Sequence, residues 1–237
     1  MGEPIGCLAL REQGGAVVAL RSGFHLFDFA TGEKTAVVDP EADRPHNRFN
    51  DGATDRQGRF WAGTMRTDEP APEGAFYRLG PDLSCTRWQG GIYTTNGLAF
   101  SPDGRTMYCS DSNPQVRTIW TCDYDATTRT PGRRRSFFDK RAVAGRPDGG
   151  TVDADGCYWM AGVGGAQLVR LTPRGRIDRI IELPVERPTK PAFGGADLDV
   201  LFVTSIRASD RSQSLAGGLF ALTGLGVQGV PEARFRG

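Results

Sequence analysis

The 237-residue sequence has almost no net charge and no long apolar run. Lys and Arg total 29 against 28 Asp and Glu, which gives a formal net charge of +1. A charge balance of this kind does not favour a polyanion or an anionic membrane surface, so we expect neither nucleic-acid nor membrane binding. No apolar run approaches the roughly 20 residues that a helix needs to span a bilayer. The composition is typical of a soluble protein.

Several catalytic motifs are also absent. The two histidines, His25 and His46, are too few for a three-histidine zinc site. No Gly-x-Ser-x-Gly segment occurs, which excludes the serine-nucleophile turn of many esterases. No window of about 11 residues or more has a helical apolar period. We therefore predict an all-β fold.

The five cysteines do not form a disulfide pattern. They are odd in number, widely spaced and set among apolar neighbours. This arrangement favours small buried side chains over a disulfide framework. The first four residues, Met1 to Pro4, do not resemble a secretory signal. Reduced cysteines and no leader lead us to expect a cytoplasmic protein.

Glycine is abundant, with 32 residues, and it marks a repeat. A polar cluster, a hairpin turn and an aromatic-rich strand follow one another in residues 47–65, 96–110 and 148–162. Asp51 and Asn96 are 45 residues apart, and Asn96 and Asp148 are 52 apart. Related strand and turn layouts occur in residues 7–20 and 190–204. Five units of about 40 to 50 residues predict the four-stranded blades of a β-propeller, in a single domain over residues 1–237.

Two C-terminal segments are assigned to the same architecture. Residues 217–222 and 232–235 are predicted to be the last strands of a blade. The four tryptophans are predicted to pack between blades, where large rings fill a wedge-shaped space.

The repeated polar clusters predict a site in the channel. The first strand of each propeller blade lines the channel, so Asn50, Asn96 and Asp148 should converge at one of its mouths. Amide and carboxylate oxygens suit Ca²⁺, Mg²⁺ or Mn²⁺ and tolerate Zn²⁺. Asn-Gly and Asp-Gly are alternatively simple turn dipeptides. In each unit a separate turn follows downstream, which favours the site.

Four segments carry a resemblance to a known family: residues 47–65, 95–104, 147–149 and 188–195. Together they resemble the regucalcin (senescence marker protein) and gluconolactonase family. The resemblance implies a six-bladed propeller that hydrolyses a sugar lactone and holds one divalent cation in its central channel. The small-molecule partner would be that lactone.

The resemblance also implies residue roles. Asn96 and Asp148 correspond to metal ligands, with Asp148 the general base or water-orienting carboxylate. Asn50 corresponds to a lactone contact that also reaches the metal, so the expected ligands are Asn96, Asp148 and Asn50. Arg48 corresponds to another lactone contact. Asp68, or its neighbour Glu69, is the nearest match to an acidic residue that holds sugar hydroxyls.

One departure from the family pattern concerns a metal ligand. The family's first ligand is a Glu in a preceding blade, and this sequence starts too late to include it; Glu3 is a poor substitute. We therefore expect about five blades, weakened binding of Ca²⁺, Zn²⁺, Mn²⁺ or Mg²⁺, and exposed blade edges through which the chain can oligomerise. Metal-dependent lactone hydrolysis is the favoured function. The alternative is a truncated, non-catalytic propeller that binds a small molecule or a protein.

Overall fold

The computed structural model of the protein describes residues 2–125, 127–128, 130–207 and 212–237. Within these ranges the chain forms twenty β-strands and one 3-10 turn, Lys140–Ala142. Five antiparallel sheets follow one another along the chain, and we number them blades 1 to 5. The described residues contain no helix with the length and apolar character that would cross a membrane.

The strands of the first two blades follow the chain order. Blade 1 comprises β1 (Ile5–Leu10), β2 (Ala16–Leu20), β3 (Gly23–Phe27) and β4 (Lys34–Val38). Blade 2 comprises β5 (Asn47–Thr54), β6 (Phe60–Arg66), β7 (Gly74–Leu79) and β8 (Cys85–Ile92).

Blade 3 has an additional short strand. It comprises β9 (Thr95–Phe100), β10 (Thr106–Asp111), β11 (Thr118–Asp125), β12 (Thr130–Pro131) and β13 (Arg135–Asp139). Both β12 and β13 pair with β11.

The last two blades complete the series. Blade 4 comprises β14 (Arg146–Val152), β15 (Tyr158–Val163), β16 (Gln167–Leu171) and β17 (Ile177–Glu182). Blade 5 comprises β18 (Pro188–Gly194), β19 (Val200–Ser205) and β20 (Leu219–Leu222). The predicted all-β propeller is confirmed.

Aromatic and aliphatic side chains form the cores between neighbouring blades. Trp61 packs with residues of blades 2 and 3, and Trp159 packs with residues of blades 4 and 5. Both indoles are at most 1% exposed. Burying side chains of this size supplies a large part of the apolar stabilisation of a blade contact. The prediction that tryptophans pack between blades is confirmed for these two residues, and Trp88 and Trp120 are partly buried against the same core as Trp61.

The turn after the inner strand is built alike in blades 2 and 4. Asp55 and Asp153 are fully buried, and each accepts hydrogen bonds from backbone N–H groups of its own turn. Each is also paired with an arginine, Arg59 at 2.5 Å and Arg170 at 2.8 Å. Because a buried carboxylate without partners is costly, these contacts fix the turn. They hold in place the end of both inner strands, β5 and β14, which we call the lower end of the channel. The opposite end, where the inner strands begin, is the upper mouth.

The innermost strands are arranged around a channel. Strand β1 packs against β5, β5 against β9, β9 against β14 and β14 against β18. No comparable packing joins β18 to β1 among the described residues. On β1, Leu8 and Leu10 are 51% and 45% exposed. The ring of blades is therefore open on this side.

The C-terminal segment crosses the lower end of the channel. Gly229 donates its N–H to Leu198 O at 2.8 Å, beside blade 5. Six residues later, Phe235 donates to Leu10 O at 2.8 Å, and its ring is fully buried between blades 1 and 2. The prediction that residues 232–235 form a blade strand is wrong, because this segment makes a single bridge to Arg11 and runs across the channel. We call residues 227–237 the C-terminal strap.

Candidate active site at the upper mouth of the channel

A β-bulge recurs near the start of four inner strands. In β5, Asn50 and Asp51 lie opposite a single residue of β6, since Phe49 pairs with Thr64 and Gly52 with Ala62. The same two-against-one register occurs in β9, β14 and β18. The bulged pairs are Asn50 with Asp51, Gly97 with Leu98, Asp148 with Gly149, and Thr189 with Lys190. A bulge redirects side chains locally, so the upper mouth is where the inner strands depart from regular pairing.

Side-chain hydrogen bonds connect the upper ends of β5, β9 and β14. Asn50 Nδ2 donates to Thr95 O at 2.9 Å. Asn96 Nδ2 donates to Ser112 Oγ at 2.7 Å, and Ser112 Oγ donates to Pro147 O. The contacts reach residues directly beside Asn96 and Asp148. The structure thus brings Asn50, Asn96 and Asp148 to the same mouth of the channel.

Arg48 is held by its neighbour on the same strand. Its Nη1 donates to Asn50 Oδ1 at 3.1 Å and to Phe49 O at 2.8 Å. Burial lowers the pKa of Arg48, and the carboxylate of Asp148 counteracts this shift. A guanidinium has five N–H donors in a fixed fork, and Nε and Nη2 of Arg48 donate to no acceptor within the described ranges. Arg48 and Asp148 are close enough to interact electrostatically.

The carboxyl of Asp148 is in an unusual environment. Burial raises its pKa to about 7, and the nearby carboxylate of Asp51 adds to the shift. Lys190, the N–H of Gly149 and Arg146 oppose it. Asp148 forms no ion pair with the described residues. Its ionised form is therefore poorly compensated by the protein itself.

Asp51, in contrast, is fully engaged. Its Oδ2 accepts a hydrogen bond from the N–H of Leu98 at 2.9 Å, and its Oδ1 is 2.9 Å from Lys190 Nζ. These contacts connect blade 2 with blades 3 and 5. Asp51 therefore serves as a link between blades.

Asp68 lies above the mouth in the loop after β6. Its carboxylate binds Arg66 at 2.7 Å and His46 at 3.0 Å. The hydrogen bond from Arg66 lowers the pKa of Asp68 to about 2. Its predicted contact with sugar hydroxyls stays a prediction. Glu3 pairs with Lys34 at 2.7 Å on the outer strand of blade 1 and is not part of the mouth.

The oxygen donors at the mouth fit a divalent cation. Asn96 is 4% exposed, and with its Nδ2 used by Ser112, its Oδ1 accepts no hydrogen bond from the described residues. Asp148 provides a carboxylate that forms no ion pair with any described residue. Amide and carboxylate oxygens are the donors that hard cations prefer. Among the described residues, no group of three or more His, Cys, Asp or Glu side chains is arranged to hold a metal ion, so amide oxygens would have to contribute.

Three residues of this region are missed by sequence reasoning. Ser112 connects Asn96 to Pro147, and Lys190 pairs with Asp51. Glu41 is 7% exposed and accepts hydrogen bonds from Asn47 and Tyr77, which anchors the start of β5. A signal existed for Lys190, since it lies in one of the segments that carry the family resemblance. Ser112 and Glu41 have no comparable pattern.

The structure is a propeller with a polar mouth at one end of its channel, and comparisons with known proteins agree with the fold. Residues 1–207 match the family model described as SMP-30/Gluconolactonase/LRE-like region. The chain belongs to this family.

Individual relatives extend over almost the whole chain. A 6-deoxy-6-sulfogluconolactonase of Pseudomonas putida is 40% identical over 242 residues, covering 99% of this chain and 81% of that protein. Regucalcin of Xenopus laevis is 35% identical, with coverages of 99% and 81%. The structure of a calcium-binding protein, regucalcin, from Agrobacterium tumefaciens superposes with a TM-score of 0.92 at 32% identity, covering 100% of this chain and 81% of that one.

Proposed function

We propose that this protein hydrolyses a sugar lactone at the upper mouth of the channel, in a reaction that depends on a divalent cation. The observation that carries the proposal is Asp148, a half-buried carboxyl with a pKa near neutrality and no ion pair to the described residues. The names of the Pseudomonas putida relative and of the family support a lactone as substrate.

Asp148 is the proposed general base. Hydrolysis adds water to the ring carbonyl and breaks the bond to the ring oxygen. Asp148 accepts a proton from the attacking water and returns it to the ring oxygen, which leaves as an alcohol. In the cation-free protein the pKa of Asp148 is about 7, and a bound divalent cation would lower it, so the carboxylate is ionised and able to accept the proton at neutral pH. An arginine cannot replace it, because its guanidinium stays charged.

Arg48 and Asn50 are proposed to position the substrate. Arg48 has N–H donors available for sugar oxygens. Its hydrogen bond to Asn50 fixes the direction in which the guanidinium points. Asn50 is itself held by Thr95, so we assign it first to the orientation of Arg48. Asp68 is proposed as a further sugar contact from the loop above.

Asn96 and Asp148 are the residues proposed to hold the cation, with Asn50 nearby. The calcium-binding regucalcin structure supports a divalent ion, and the oxygen donors favour Ca²⁺, Mg²⁺ or Mn²⁺ while tolerating Zn²⁺. When bound, a divalent cation supplies positive charge where negative charge develops on the lactone carbonyl.

The test is lactone hydrolysis by chelator-treated protein. Acid release from gluconolactone is followed in a pH-stat, with and without added Ca²⁺, Mn²⁺, Zn²⁺ or Mg²⁺, and corrected for spontaneous hydrolysis. We expect activity that requires a cation and is restored by at least one of these ions. Hydrolysis no faster than the uncatalysed rate with every ion would contradict the proposal.

The ion pair between Lys190 and Asp51 favours a second candidate, a propeller that binds ligands without turnover. This pair neutralises a carboxylate at the mouth, so Asp51 does not add a second anionic oxygen beside Asp148 for a cation. Calorimetry with gluconolactone and its open acid distinguishes the two functions. Binding of either ligand without accelerated hydrolysis supports the second candidate.

A further inference from the structure

Lys190 occupies the bulge of β18, the position that corresponds to Asp51 in the bulge of β5. Its Nζ lies 2.9 Å from Asp51 Oδ1, although the two residues are 139 apart in the sequence. The Lys190 side chain also lies on the backbone of blade 4. A Cβ added at Gly149 would be 2.4 Å from Lys190 Cδ, so the glycine leaves the space that this side chain fills.

The ammonium of Lys190 acts on both carboxylates of the mouth. Burial disfavours its charged form, but Asp51 outweighs this effect and raises the pKa of Lys190, so the group is an ammonium at neutral pH. The same charge stabilises ionised Asp148 and opposes the rise of that residue's pKa. Lys190 is therefore a fixed positive charge beside the proposed cation ligand.

We propose that Lys190 is a tethered competitor of the divalent cation, which lowers the cation affinity of the mouth and keeps Asp51 out of the ligand set. The inference rests on the cation site of the proposed function. It follows from two physical effects. An ammonium repels a divalent ion bound nearby, and its ion pair occupies the carboxylate oxygen that would otherwise attract that ion.

The orientation of Asp51 makes the second effect specific. Its Oδ2 is held by the N–H of Leu98, so the Oδ1 position is fixed whether or not Lys190 is present. Without the ammonium, Oδ1 would be a second anionic oxygen close to Asp148. Lys190→Met keeps most of the aliphatic packing on Gly149 and removes only the charge.

The experiment measures Mn²⁺ affinity by the decrease of the free-ion electron paramagnetic resonance signal. The proteins compared are the wild type, Lys190→Met, Lys190→Arg, and Lys34→Met as a control. Lys34 is on the outer strand of blade 1 and pairs with Glu3. We expect Lys190→Met to bind Mn²⁺ about ten- to a hundredfold more tightly than the wild type. Lys190→Arg keeps the positive charge at the mouth and Lys34→Met changes a charge on the outer strand of blade 1, so both should stay within about threefold of the wild type.

A second pair of variants keeps the test decisive if Lys190→Met folds poorly. Asp51→Asn leaves the ammonium without its partner, and the double variant Asp51→Asn with Lys190→Met removes both charges. We expect the double variant to bind Mn²⁺ at least about tenfold more tightly than Asp51→Asn alone. Equal affinities in this pair would overturn the inference.

Two further outcomes separate this inference from the proposed function. Tighter Mn²⁺ binding by Lys190→Met in a protein without lactonase activity supports the competitor role and overturns the proposed reaction. Unchanged Mn²⁺ affinity in a folded, cation-dependent lactonase overturns the competitor role alone. A variant that melts at a lower temperature with unchanged Mn²⁺ affinity would show that Lys190 is only a structural link.

Discussion

The bulges of β5 and β14 share one backbone design but differ in what surrounds their carboxylates. In β5, Asp51 is bound by Leu98 N–H and by Lys190, both at 2.9 Å. In β14, Asp148 has no ion pair to the described residues, and its pKa is raised to about 7. The charge of Asp51 is balanced by partners within the protein. The carboxyl of Asp148 is available to a cation or a substrate in the mouth.

The same bulge in an inner strand therefore supports two roles. A carboxylate with complete partners contributes to the connection of the blades. A half-buried carboxylate with few partners lowers the stability of the fold. Its shifted pKa, however, is typical of groups that take part in binding or catalysis. Four predictions test this contrast, beginning with the largest expected effect.

Asp148→Asn should reduce lactone hydrolysis by about 10²- to 10⁴-fold, because the amide cannot accept the proton of the attacking water. The melting temperature should not fall, since a neutral side chain avoids the cost of a poorly compensated charge. Steady-state kinetics and thermal unfolding are the measurements. Asp199→Asn, at an exposed site in the turn between β18 and β19, is the matched control. Activity within threefold of the wild type would remove Asp148 from the reaction.

Asp51→Asn should mainly lower the free energy of unfolding, because Asp51 links blades and has no assigned role in the reaction. It leaves Lys190 without its carboxylate, and we expect a loss of about 1 to 3 kcal/mol in the free energy of unfolding, because Lys190 is only partly exposed. Urea unfolding measures this loss. Combining Asp51→Asn with Lys190→Met should recover part of it. A single variant as stable as the wild type would show that the pair does not connect the blades.

The affinity for the cation should depend on pH through Asp148. Its pKa of about 7 means that protons compete with the cation below neutrality. Affinity should therefore fall by up to roughly tenfold per pH unit below 7 and level off above it. Mn²⁺ titrations at pH 5.5, 6.5 and 8 measure the slope. The same slope in Asp148→Asn would assign the titration to another group.

Arg48→Lys should produce the smallest of the four effects. A lysine keeps the charge but loses the rigid fork and the hydrogen bond to Asn50. We expect kcat/KM for gluconolactone to fall by about tenfold, mainly through KM, the size of one lost charged hydrogen bond. Arg174→Lys, in the exposed turn before β17, controls for the substitution itself. An unchanged KM would contradict a substrate contact.

The blades could be predicted from the sequence because their signals are local. The turn at Asp55 to Gly58 and the strand that follows lie within a few residues of each other, and the same order returns in blade 4. The repeat of the blades predicts that Asn50, Asn96 and Asp148 lie at one mouth of the channel. Their roles as ligands and base stay predictions.

Other parts of the site depend on contacts that no local pattern encodes. A bulge is a property of two strands, so the register of β5 against β6 could not be obtained from β5 alone. The pair of Asp51 and Lys190 joins distant residues and depends on the arrangement of the blades. The path of the C-terminal strap was missed for a similar reason. A strand is predicted over residues 232–235, whereas Phe235 fills a core between two other blades.

The C-terminal strap has a consequence for how the blades unfold. Blades that contact only their neighbours behave as a linear array, whose terminal units fray independently of the middle. Here the last residues of the chain are packed against the first blade, with Phe235 buried beside Phe24 and Phe60. We therefore expect that loss of the strap contacts would also destabilise blade 1. Through the strap, blades 1 and 5 should unfold together although their inner strands are not packed side by side.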